Sequence, residues 1–237
     1  MKEGVSARRG ALLGVLFRIG WVLTPLPAIA VYFWAAVFPK RPDLHLWQDP
    51  FSAASVATAL GLASYAWLAG QFFLAAKPAF LQRWLGQAAI ARFHGTMAII
   101  AWATVFFHRI AMVKTIPNDD TLQARIGTLA WLAYAVLIAG TLALMANWRA
   151  MRVPLLKDLR GRINRALGLD YPRLLRLHRI NLVVTLAVLV HVSLASRSTP
   201  STNPLGFAWN LAWPAFCIGI WLQANWQRSR RSLPKAS

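Results

Sequence analysis

The chain has 237 residues, 57% of them apolar with 12 tryptophans, and a mean hydropathy of +0.46, which is more apolar surface than a soluble domain with a polar exterior carries. A formal net charge of +19 would point to nucleic acid in a soluble protein, but the basic residues lie between apolar runs, so they read as membrane topology and nucleic acid is excluded as a partner. The single cysteine, Cys217, rules out an internal disulfide and a multi-cysteine iron–sulfur or zinc site; within a late apolar segment it reads as a small packing residue.

The expected fold is all-α, a polytopic bundle of six transmembrane helices forming a single domain over 1–237. The spans fall at 11–38, 52–76, 89–113, 126–147, 174–195 and 206–224, each near or above the roughly 20 residues that cross a hydrocarbon core. The first contains Arg18, Pro25 and Pro27 and is expected to be tilted or kinked. Its basic start at Arg8-Arg9 and its small residues Ala28 and Ala30 resemble an export signal, but apolar character continues to Phe38, so an uncleaved helix is expected. In the first connection His45 sits among Lys40, Arg41, Asp43, Trp47 and Asp49 and reads as a solvated interface residue.

Basic residues set the orientation. Lys2, Arg8 and Arg9 begin the chain, Lys77 and Arg83 lie in the second connection, and Arg228, Arg230, Arg231 and Lys235 close the tail. The fourth connection and its edges carry most, with Arg149, Arg152, Lys157, Arg160, Arg162, Arg165, Arg173, Arg176 and Arg179. Asp43, Asp49, Asp119 and Asp120 all fall in the odd-numbered connections. The basic connections should face the cytoplasm, with both termini on that side. Within the fourth connection, residues 154–169 place Leu155, Leu159, Ile163 and Leu167 every four positions with basic residues between them. Pro154 suits a first helical turn, so this reads as an amphipathic helix on the membrane surface, attracted to anionic lipid or to an acidic electron-donor protein.

Four of the five histidines lie in two spans, His94 and His108 in the third and His178 and His191 in the fifth, at spacings of 14 and 13 residues. Neutral imidazole is a common axial ligand of haem iron, and ionisable groups within spans are costly enough to imply a function. If the two spans run parallel, a rise of 1.5 Å per residue separates two ligand levels by roughly 20 Å. Fourteen positions at about 100° each return His108 to within about 40° of His94, whereas 13 leave His191 about 140° from His178, so a local irregularity or a supercoil is expected to absorb part of the mismatch between the second pair. Arg92, Arg109 and Arg179 adjoin the histidines, with Arg173, Arg176 and Arg197 near them, and are candidates to hold haem propionates through bidentate pairing, although arginines at helix ends are more often ordinary snorkelling residues. Trp102, Phe106, Phe107 and Trp131 are candidates to line an electron route, although aromatics in spans are more often packing residues.

The runs Arg92-Phe93-His94-Gly95 leading to Phe107-His108, and Leu175-Arg176-Leu177-His178-Arg179 leading to Val190-His191, resemble the membrane domain of ferric reductases and NADPH oxidases. The resemblance covers six helices with two histidines on each of the third and fifth. It implies two b-type haems, with His94 and His178 holding the inner and His108 and His191 the outer. The expected function is electron transfer from a cytoplasmic or quinol donor to an external acceptor such as ferric iron, in a bacterial-type inner membrane. The sequence has no Gly-rich dinucleotide fingerprint, so flavin and NAD(P)H are expected only through a partner, and the donor would be a flavoprotein, an iron–sulfur protein or quinol. Two alternatives stand beside this expectation: a haem membrane subunit serving periplasmic methionine sulfoxide repair, and a haem-free membrane scaffold or transporter subunit.

Overall fold

The computed structural model describes residues 2–37, 49–117, 119–145, 153–168, 170–195 and 200–232, and every regular element among them is helical. His45 with Lys40, Arg41, Asp43 and Trp47, and the basic residues Arg149, Arg152, Arg197 and Lys235, lie outside the described residues. Six helical stretches are long and apolar enough to cross a membrane: Leu12–Ala35, Ala53–Ala76, Gln87–Thr115, Leu122–Leu144, Pro172–Leu194 and Pro204–Arg230. Each overlaps one expected span. The helices fall into two compact units, Met1–Asp120 with Val192–Ser237, and Thr121–His191.

The first unit opens with α1 (Lys2–Leu23), a turn at Thr24-Pro25, α2 (Leu26–Tyr32) and a π-helical segment, Phe33–Val37. The expected kink therefore falls at Pro25. A proline lacks the amide that would bond the carbonyl four residues back, which here is that of Trp21, and the Thr24 hydroxyl donates to that carbonyl at 2.8 Å. Next come α3 (Ala53–Ala76), α4 (Ala79–Leu85), α5 (Gln87–Thr115) and, at the chain's end, α10 (Pro204–Ser232).

α3 is the centre of this unit. Its apolar stretch is 67% buried, against 11% to 22% for the other five spans, and it packs on α5 and α10. Buried Ala54, Ala57, Ala66, Ala69 and Gly70 keep its surface small, which lets neighbouring helix backbones approach closely. Ser52 caps its start by accepting from the Ser55 amide at 3.2 Å. Its end is held by Lys77 in the left-handed region (φ 51°) and by Arg228 of α10, whose Nη2 donates to the Ala76 carbonyl at 3.0 Å. Arg228, expected only as a topology residue, thus also ties α10 to α3.

A second proline gap is closed the same way. Pro214, fully buried inside α10, cannot bond the carbonyl of Asn210, and the Tyr65 hydroxyl of α3 donates to that carbonyl at 2.6 Å. Trp213 adds an indole bond to the Ala66 carbonyl at 2.8 Å. Nearby, Trp21 lies against Gly70, where a Cβ would come within 2.5 Å of its ring, and packs on Phe17, Phe73, Phe93 and Trp213. An apolar cavity of about 390 Å³ opens among Phe17, Trp21, Phe73, Phe80, Trp213 and Phe216. Cys217 is free and fully buried, in keeping with a packing role.

The second unit holds α6 (Leu122–Gly140), a π-helical segment (Thr141–Met145), α7 (Pro154–Ala166), α8 (Tyr171–His178) and the start of α9 (Asn181–Leu194). α7 matches the expected amphipathic helix, with Pro154 in its first turn, and Leu155, Leu159, Ile163 and the following Leu167 are exposed to the surroundings. It stops at Gly168, whose φ of 60° suits the residue after a helix. Asp170 caps α8 by accepting from the Arg173 amide at 2.8 Å. Tyr134 of α6 and Thr185 of α9 share a buried hydroxyl–hydroxyl hydrogen bond.

The irregularity expected between His178 and His191 is present. α8 ends at His178, Arg179 and Ile180 form a turn, and α9 begins at Asn181. Through the turn, the amides of Arg179, Ile180 and Leu182 bond to carbonyls three residues back, at 3.0 to 3.1 Å. Each such step advances about 20° more than an α-helical one, which reduces the angular mismatch of a 13-residue spacing. No break separates His94 from His108 on α5, where 14 residues need none.

Candidate histidine site

His108, near the end of α5, turns its ring onto α3. Its Nδ1 lies 2.7 Å from the Ala57 carbonyl oxygen. A carbonyl only accepts, so Nδ1 carries the proton and donates, and in neutral imidazole the lone pair is then on Nε2. The ring reaches that carbonyl because the residue one helical turn further along α3 is Gly61. A Cβ there would lie 2.9 Å from the His108 ring, a separation real side chains do not adopt.

His191, on α9, repeats the arrangement within the second unit. Its Nδ1 donates to the Gln123 carbonyl of α6 at 2.8 Å, and one turn past that carbonyl stands Gly127, where a Cβ would lie 2.7 Å from the ring. The two seats share a donor atom, an acceptor and a glycine at the same offset, four residues. A backbone carbonyl on Nδ1 is a common way to orient a metal-binding imidazole and to raise the basicity of its Nε2.

His178 is held differently. Its Nδ1 lies 3.2 Å from the Thr141 hydroxyl oxygen and 3.2 Å from the Asn181 amide nitrogen. Thr141 sends its own proton to the Leu137 carbonyl at 2.7 Å, so toward His178 it acts as acceptor and favours a proton on Nδ1. Asn181, which also donates to the His178 carbonyl at 2.8 Å, favours the other tautomer. Thr141 opens the π-helical segment after α6, a widened turn of a kind that recurs at functional positions. His94 is half-buried on α5, beside Phe93, whose ring packs edge-on against Phe17 and Trp21 at centroid distances of 6.1 and 6.3 Å.

The arginines separate into groups. Arg92, Arg176 and Arg179 are exposed and Arg109 is partly buried. Arg173 is engaged locally: its guanidinium donates to the Gly168 carbonyl and lies 4.0 Å from the Asp170 carboxylate, so it fastens the corner between α7 and α8. On α5, Trp102, Phe106 and Phe107 form a run of neighbouring rings, but Phe107 is 59% exposed, as a lipid-facing side chain would be. Among the described residues no three His, Cys, Asp or Glu side chains converge on one point.

Gly61, Gly127, Thr141 and Asn181 were not singled out as site residues from the sequence. Asn181 carried a signal, as an amide inside an apolar span three residues after a histidine. No protein-family model, curated protein or solved structure matches this chain.

Proposed function

We propose that this chain carries electrons across a membrane through two b-type haems, His94 and His178 serving an inner one and His108 and His191 an outer one. Electrons come from a cytoplasmic or quinol donor and pass to an external acceptor such as ferric iron. The observation that carries the proposal is the repeated seat of His108 and His191. Two histidines on different helices are held in the same tautomer, each through a backbone carbonyl and a glycine. Packing alone does not call for such a repetition, and it suits a pair of haem ligands, since each ring then presents Nε2.

The residues fit the group. Neutral imidazole nitrogen suits haem iron, and the group, when bound, would supply one-electron transfer. The chain's own part is to fix the imidazoles by their Nδ1 protons, to supply exposed Arg92 and Arg179 and part-buried Arg109 as cationic partners for propionates, and to surround the ligands with apolar helices that keep water away. In this assignment both termini lie in the cytoplasm of a bacterial-type cell, and α7 rests on the inner leaflet. The resemblance to ferric reductase membrane domains points the same way.

The test is a dithionite-reduced minus oxidised spectrum with haem counted per chain. Wild type is expected to show two b-type haems, and His94→Ala and His108→Ala to lose one each. Colourless protein from haem-replete cells would refute the proposal and favour a haem-free scaffold or transporter subunit.

A further inference from the structure

Among the described helical glycines, Gly61 and Gly127 are the two that lie against a histidine ring, whereas Gly14 and Gly70 make room for Leu85 and Trp21. In an α-helix each side chain leans toward the N-terminus and covers the turn before it, so the residue four positions beyond a carbonyl guards sideways access to that carbonyl. At Ala57 and Gln123 the guarding residue is glycine, and the vacated space is filled by an imidazole ring, of His108 in one unit and of His191 in the other. Gly10, Gly20, Gly95, Gly140 and Gly219, all within helices, face nothing within 4 Å. A glycine inside a helix is less favourable than alanine, so two placed where a histidine ring needs the room call for a reason.

We infer that Gly61 and Gly127 are positioning residues for the outer pair of haem ligands, opening the Ala57 and Gln123 carbonyls to the histidine Nδ1 protons and thereby setting the ligand strength of both Nε2 atoms. The carbonyl draws on the Nδ1 proton and makes the ring a stronger electron donor at Nε2, which favours oxidised over reduced iron. The inference rests on the proposed haem ligation and adds to it which backbone features tune the outer site and not the inner one. It also has consequences in protein without haem, because the space between glycine and ring exists before any iron is bound.

The experiment compares Gly61→Ala, Gly127→Ala and Gly219→Ala in the full-length protein by redox titration and low-temperature electron paramagnetic resonance. In each of the first two variants, one of the two haems should shift to higher midpoint potential with altered axial-ligand signals, or be lost, while the other keeps its wild-type values. Gly219→Ala, which meets no neighbour, should change neither. Unchanged potentials and signals in both Gly61→Ala and Gly127→Ala would overturn the inference.

A second measurement covers poorly folded variants and an absent haem. Thermal stability is determined without haem for Gly61→Ala, His108→Ala and the double variant. If the ring fills the space, Gly61→Ala lowers the melting temperature, and in the His108→Ala background the loss disappears or reverses, as alanine's better helix propensity is then unopposed. Additive effects would overturn the inference. Wild-type protein without haem would defeat the proposed function alone, and this cycle would still decide the glycine's relation to the ring.

Discussion

His108 sits on an unbroken helix and presses its ring onto a backbone carbonyl through a gap left by glycine; His178 sits at a helix end, where a threonine and an asparagine compete for the same ring nitrogen. A backbone carbonyl within a helix can neither rotate nor donate, so the first seat admits one tautomer. The second seat admits two, chosen by side chains that can turn. The contrast teaches that one protein can hold chemically identical side chains with different latitude, and that latitude depends on whether the orienting group belongs to a helix backbone or to a side chain.

The sharpest way to break the contrast is to remove the two partners of His178 separately. Thr141→Val deletes the acceptor and leaves Asn181 as donor, favouring a proton on Nε2 and weakening the ligand. If His178 holds haem as proposed, affinity at this site should fall roughly 10- to 100-fold, the scale of a lost orienting partner. Asn181→Ala deletes the competing donor, so haem should be retained or bound more tightly. Haem retention during titration with a haem-scavenging apoprotein reads both. Equal losses in the two variants would mean that the partners act by packing, and the difference between the seats would not be one of tautomer.

A smaller effect is expected where the first seat is anchored. α3 carries Ala57 and Gly61, and it is joined to α10 by the Tyr65 hydroxyl bond to the carbonyl left open by Pro214. Tyr65→Phe leaves that buried carbonyl without its donor, which should destabilise the protein by about 1–2 kcal/mol. Changing Pro214→Ala in the same chain restores a helical amide for the carbonyl, so most of the Tyr65→Phe penalty should vanish in the double variant. Chemical unfolding in mild detergent measures both, and an undiminished penalty would show that Tyr65 acts through its ring alone.

Much of this was legible in the sequence because it depends on spacing. The spans follow from length and hydropathy, a tilt or kink in the first from its prolines, and an irregularity or supercoil between His178 and His191 from the difference between 13 and 14 residues on a helix of fixed pitch. The central position of α3 was not read because the six spans have similar mean hydropathy, between 1.4 and 1.8; only the density of alanine, glycine and serine in α3 sets it apart. The glycine seats were harder still. Every residue has a carbonyl, and nothing in the order of residues shows which one a histidine 51 or 68 positions away will meet. The arginines also look alike in sequence, although Arg173 and Arg228 are committed to helix ends and Arg92 and Arg179 remain exposed.

The smallest expected effect concerns Arg173 and asks how much latitude the His178 corner keeps. The guanidinium joins the Gly168 carbonyl at the end of α7 to the Asp170 carboxylate at the start of α8, while α7 itself is gripped by its exposed row of leucines and isoleucine if it rests on lipid. Arg173 and Asp170 have side chains 56% and 60% exposed, and ion pairs of that kind contribute about 0–1 kcal/mol. Arg173→Gln should therefore leave global unfolding within about 1 kcal/mol of wild type and act locally. Amide hydrogen exchange is expected to accelerate through the α7–α8 corner and at the first turn of α9, with α3 and α5 unchanged. If exchange instead rises around His108, the two seats are mechanically coupled and the contrast between a fixed and an adjustable ligand fails; if it rises nowhere, the lipid-facing row of α7 alone holds the corner.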